Sequence, residues 1–101
     1  MMSDELNRIA ARHSEDMARG RVPMGHAGFD NRYREARKKI AGMTEFAENV
    51  AYGPRTGRDA VQGWAGSAMH RENMLGRFKF IGIGIARDRR GQLYYTEVFA
   101  N

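Results

Sequence analysis

His26, Glu48 and His70 stand at equal intervals along a chain of 101 residues, and they are the side chains with the most chemistry to offer. His26 lies between Gly25 and Gly28, in the kind of loop where function concentrates. Glu48 and Asn49 open an apolar stretch, where a carboxylate needs a partner or carries a large burial cost. His70 follows Ser67 by three residues, so on a helix the two share a face while Glu72 points elsewhere. Two imidazoles, a carboxylate and a hydroxyl could converge to hold zinc with an open coordination position, or to form an acid/base cluster. The spacing is not the His-Glu-x-x-His of helical metalloproteases. Ser67 and His70 could also be read as a nucleophile and its base. His13 falls on an apolar stripe and reads as a core or capping hydrogen-bonder rather than a ligand.

Composition narrows the classes. There are no cysteines, which removes disulfide scaffolds, thiolate metal sites and cysteine nucleophiles. Hydrophobic residues make up 42% of the chain, a globular proportion that argues against disorder. The length suits one domain with one modest core. No apolar run approaches the ~18 residues of a membrane helix, and the polar opening from Met1 to Asn7 is not a secretory leader. The net charge of +5 permits attraction to anionic partners. Fourteen of the seventeen basic residues are arginines scattered along the whole chain, which reads as a solvated surface rather than a nucleic-acid groove.

These side chains must be positioned by a small set of elements. Residues 4–19 predict an amphipathic helix with Ser3 as N-cap, Asp4 and Glu5 in its first turn, and Leu6, Ile9, Ala10, His13 and Met17 on one stripe. Gly20 ends it. A loop over 20–29 follows, then a helix capped by Asp30 and running to about Ala41, with Tyr33, Ala36 and Ile40 inward. Residues 44–52 read as extended, before a Gly53-Pro54 break. Thr56 caps a third helix over 57–66, with Val61, Trp64 and Ala65 inward. Ser67 starts a short fourth helix through Leu75, closed by Gly76. Phe80–Arg87 and Leu93–Phe99 read as strands joined by a tight turn. Gly82 and Gly84 fall inside the strand pattern with no helix after them, so they mark close packing against a bare sheet face, not a phosphate loop. Ile81, Ile83 and Ile85 then fill the opposite face. Helices first and paired strands last suggest a layered α+β domain.

Several segments together resemble a known family. They are Ala11-Arg12-His13-Ser14-Glu15-Asp16-Met17-Ala18, Gly25-His26-Ala27-Gly28-Phe29, Ala47-Glu48-Asn49-Val50-Ala51-Tyr52-Gly53, Gly63-Trp64-Ala65-Gly66-Ser67-Ala68-Met69-His70-Arg71-Glu72-Asn73-Met74-Leu75, Phe80-Ile81-Gly82-Ile83-Gly84 and Tyr94-Tyr95-Thr96-Glu97-Val98-Phe99-Ala100. In this order they resemble the CAP superfamily, also called SCP-like: cysteine-rich secretory proteins, antigen 5 and pathogenesis-related proteins. The similarity is to its bacterial, cysteine-free branch and runs from Leu6 to Phe99.

The resemblance implies a three-layer α-β-α sandwich with a central antiparallel sheet, spanning residues 1–101 as a single domain that lacks the family's usual N-terminal helical segment. An apolar strip left uncovered by that absence would invite a homodimer. The resemblance also implies a cleft lined by two histidines and two acids. The histidines map onto His26 and His70 as metal ligands for a divalent ion, typically Zn²⁺, and one acid maps onto Glu48. The position of the second acid in many eukaryotic members is Ser67 here, so the four-residue site is incomplete. Glu72 would substitute only if its helix turned it inward, and Asn49 completes the cleft lining.

Fold alone is weak warrant for chemistry. The first expectation is a non-catalytic extracellular domain, secreted, periplasmic or in the cell envelope, whose cleft takes a divalent metal, a small amphipathic ligand such as a lipid or sterol, or a cell-envelope component. The alternative is a zinc-dependent, protease-like hydrolase in which His26 and His70 hold the metal and Glu48 takes the proton of a bound water. A structural or interaction domain is the third reading. Nucleic acid is not expected as a partner.

Overall fold

The computed structural model describes residues 2–53, 55–76 and 78–101, with Ala68 and Met69 described by their backbone only. The elements follow in the order α1 (Asp4–Ala18), α2 (Phe29–Lys39), β1 (Phe46–Tyr52), α3 (Gly57–Ala65), α4 (Ala68–Met74), β2 (Phe80–Arg87) and β3 (Leu93–Ala100). The three strands form one antiparallel sheet in the order β1-β3-β2. This is the α+β architecture expected from the sequence, with β1 left at an edge.

Ser3 caps α1 as its type predicts, its hydroxyl accepting from the backbone N–H of Leu6. The predicted stripe is the buried one: Leu6, Ile9, Ala10, His13 and Met17, joined by Ser14. α1 lies directly on β2. A Cβ at Gly82 would come within 2.2 Å of the Leu6 backbone, and one at Gly84 within 2.1 Å of the Ala11 nitrogen. Glycine at these two places lets helix and strand touch. Leu6, Ile9, Ala10, Ala36, Met43, Val98 and Ala100 form the core between this helical layer and the sheet. On the other face, Ala60 and Trp64 of α3 pack with Tyr95.

Four local expectations change. Asp30 is not the cap of α2. Gly28 occupies that position at φ 83°, and the helix starts two residues earlier than a cap at Asp30 would give, at Phe29. The tight turn responsible is closed by the Phe29 N–H donating to the His26 carbonyl. α2 stops at Lys39, because Ile40 is already extended. Val61 and Ala65 are exposed and Ala60 is buried instead. The Trp64 indole N–H donates to the Val50 carbonyl at 3.0 Å, which turns the Ala60–Trp64 stripe inward. Of the three isoleucines on the second face of β2, Ile85 is exposed. Pro54, in the predicted chain break, lies outside the described residues.

Candidate functional site

Successive residues of a strand point to opposite faces, and β1 uses this to serve two layers. Glu48 pairs in register with Val98 and therefore faces α1 and α2, whereas Asn49 pairs with Glu97 and faces α4.

On the first face, the Glu48 side chain has 0% exposure. Arg32, on α2, donates from Nε to Oε1 at 2.5 Å and from Nη2 to Oε2 at 2.9 Å. The same guanidinium donates to the carbonyls of Ala27 (2.8 Å) and His26 (3.2 Å), which ties the glycine-rich loop to the helix. His26 Nδ1 lies 2.7 Å from Glu48 Oε2. A carboxylate can only accept, so Nδ1 carries the proton of this bond, and in the neutral ring the lone pair lies on Nε2. The ring is half exposed, with its side chain 50% accessible.

His13 holds this loop from the other end. Its Nε2 donates to the Gly25 carbonyl at 2.7 Å, next to His26. Burial holds the His13 imidazole below its ordinary titration range, against the opposing effect of the Gly25 carbonyl.

On the second face, Asn49 is fully buried. It donates to the carbonyl of His70 (3.1 Å) and to Glu97 Oε1 (3.4 Å), and accepts from Asn73 at 2.9 Å. Asn73 also donates to the Glu48 carbonyl, bridging the two halves of the site. Ser67 sits at the N-cap of α4 but makes no capping bond. Its hydroxyl lies 2.9 Å from His70 Nδ1 instead. Burial raises the Glu97 carboxyl above the ordinary carboxylate range, with the Asn49 donor opposing.

The structure thus joins His26 to Glu48 on one face of β1, and Asn49, Ser67 and His70 on the other. Glu72 is exposed on α4. Among the described residues no three histidine, aspartate or glutamate side chains gather closely enough to hold a metal ion. Glu48 orients the His26 ring through its Nδ1 edge, and among the described residues no hydrogen bond ties the His70 ring to that pair.

Residues 1–99 match the cysteine-rich secretory protein family, CAP. The chain belongs to this family. Its fold recurs in an outer surface protein from Borrelia burgdorferi, with a TM-score of 0.82 at 19% identity, over 99% of this chain and 75% of that one. An extracellular protein containing an SCP domain from Bacillus anthracis superposes with a TM-score of 0.79 at 28% identity, over 97% of this chain and 32% of that one. A cysteine-rich secretory protein from Staphylococcus aureus gives a TM-score of 0.72 at 20% identity, over 98% of this chain and 30% of that one. The CAP domain described here thus spans less than a third of the last two proteins. No curated protein sequence matches the chain. Among the described residues no helix is long and apolar enough to cross a membrane.

Sequence reasoning missed Arg32, Asn73 and Glu97. Arg32 is one of many arginines and carries no local mark. Its one available signal was Glu48 itself, a carboxylate in an apolar strand that required a cationic partner.

Proposed function

We propose that this CAP domain is a non-catalytic binding module of the cell exterior or envelope, whose ligand meets the imidazole edges of His26 and His70 on either side of β1. The location is the one given for its relatives, which are described as extracellular and outer surface proteins. The observation that carries the non-catalytic reading is the state of Glu48. Both of its oxygens are engaged by Arg32 and His26 and none of its side-chain surface is open. A hydrolase of the zinc-water type needs a carboxylate that can receive a proton from water, and this one is committed to holding His26. His26 Nε2 and the free side of the His70 ring would hold a divalent metal such as Zn²⁺, which would supply a Lewis-acidic anchor for a ligand. A small amphipathic ligand on the same edges is the other occupant consistent with this arrangement.

The test is a zinc titration of metal-free protein followed by NMR of the three histidine rings. The His26 and His70 signals are expected to move together and saturate at about one equivalent, with His13 unmoved. No response at millimolar zinc overturns the metal role and leaves the organic ligand, to be sought in lipid and sterol screens. Zinc-dependent peptide hydrolysis that disappears in His70→Ala without loss of stability overturns the non-catalytic reading.

A further inference from the structure

Away from the histidines, the fold gathers charge that the sequence scatters. The end of α1 (Arg19, Gly20, Arg21), the end of β1 (Tyr52) and the β2–β3 hairpin (Arg87 to Arg90, Tyr94) line one open cavity of about 1040 Å³. Five guanidiniums and one carboxylate line it, and with Glu15 and Asp16 beside Arg19 and Arg21 this end of the molecule keeps a net positive charge.

The carboxylate does not oppose a ligand freely, because it is used in the turn. Asp88 Oδ1 accepts from the N–H groups of Arg90 and Gln92, and Oδ2 accepts from the Tyr94 hydroxyl. Arg19 and Arg21 pair with Glu15 and Asp16, but these arginines are more than half exposed and such surface pairs exchange at little cost. Arg87 and Arg89 have no ion pair among the described residues. The negative end of the α1 dipole is muted, since the carbonyls of Glu15, Asp16 and Met17 accept from Arg19, Arg21 and Gly20.

We propose that this cavity is a second binding site, for a multiply charged phosphate ester of a polyol or sugar. All five cations are arginines, whose planar forks bind phosphate oxygens two at a time. The volume exceeds what a lone phosphate fills. Tyr52 and Tyr94, with ring centroids 4.7 Å apart, offer an aromatic floor for the carbon skeleton. The site is independent of the histidine cleft.

The test measures calorimetric binding of a glycerol phosphate oligomer at low salt, with glycerol as the uncharged control, to the wild type and to Arg87→Gln/Arg89→Gln/Arg90→Gln. These exposed substitutions should leave the melting temperature unchanged, and His26→Ala/His70→Ala should leave this binding unchanged. The oligomer is expected to bind the wild type and to bind the triple variant at least about tenfold more weakly, with added salt weakening the wild type. Phosphatidylglycerol vesicles form a second arm. Binding to the vesicles alone, lost in the same variant, assigns the phosphate ester to a lipid headgroup, and binding to the oligomer assigns it to a soluble or polymeric source. The proposal is overturned by equal binding to wild type and triple variant, by no binding to either probe, or by a single-stranded oligonucleotide binding as tightly as the oligomer.

Discussion

Arg32 meets Glu48 through two parallel N–H donors, 2.5 and 2.9 Å from the two carboxylate oxygens, in a layer where the Glu48 side chain has no exposed surface and that of Arg32 only 11%. The pair is the hinge between fold and site. It neutralises a carboxylate beside the apolar core, and through the carbonyls of His26 and Ala27 it fixes the loop that presents an imidazole to solvent.

Removing one partner should therefore cost far more than removing both. Arg32→Met leaves a buried carboxylate with only His26 to meet it, and is expected to lose about 3–5 kcal/mol in urea unfolding. Arg32→Met/Glu48→Leu should recover more than half of that loss, because it leaves no uncompensated charge. Equal losses in single and double variants would mean that Arg32 stabilises by its packing, not by its charge.

The glycines make opposite predictions according to what lies above them. Gly84→Ala drives a methyl against the Ala11 backbone and is expected to destabilise by about 1–3 kcal/mol or more. Gly63, inside α3, has nothing within 4 Å of an added Cβ, so Gly63→Ala should stabilise by about 0.5–1 kcal/mol through helix propensity. Thermal melts of the two variants read both signs.

What the sequence disclosed follows the range of the interactions. The Ser3 and Thr56 caps, the α1 stripe and the Gly82/Gly84 contact are set by residues near one another in the chain or by a strict period, and each was legible. The inward face of α3 was not, because Trp64 chooses its orientation by bonding to Val50 across a strand. Gly28 displaced Asp30 at the start of α2 because a left-handed residue closes the His26 turn. The site was legible as a set of residue types. Its division between two faces of β1 depends on the pairing register, which places Glu48 with Val98 and Asn49 with Glu97.

Two buried groups give stability opposite slopes with pH. His13 titrates below 6.5 in the folded state because burial disfavours its cation. Between its folded value and 6.5 the unfolded chain carries the extra proton, so stability is lost as pH falls through that window. Glu97 titrates above 4.5 when folded, again through burial. There the folded state keeps the proton that the unfolded chain has released, so stability falls as pH rises from 4.5 through the folded value. Urea midpoints measured from pH 4 to 8 (a range about the two reference values) separate them. Glu97→Gln should gain on the wild type as pH rises, and His13→Gln should gain on it as pH falls. A Glu97→Gln curve parallel to the wild type would show that this carboxyl titrates normally.

Asn49 is the knot on the second face of the sheet. Replacing it with alanine leaves the His70 carbonyl without the Asn49 amide, Glu97 without its donor, and the Asn73 amide without an acceptor on that side. With the site fully buried, Asn49→Ala is expected to cost about 2–3 kcal/mol, the usual consequence of stranding buried polar groups. The loss should be unevenly spread. α4 is short and is attached to β1 largely by these bonds, whereas α1 is anchored by apolar burial against β2. Hydrogen exchange at the amides of Arg71 and Leu75, which close the turns of α4, should therefore quicken more than exchange in α1. A uniform acceleration across both helices would mean that Asn49 supports the whole domain rather than the seat of His70.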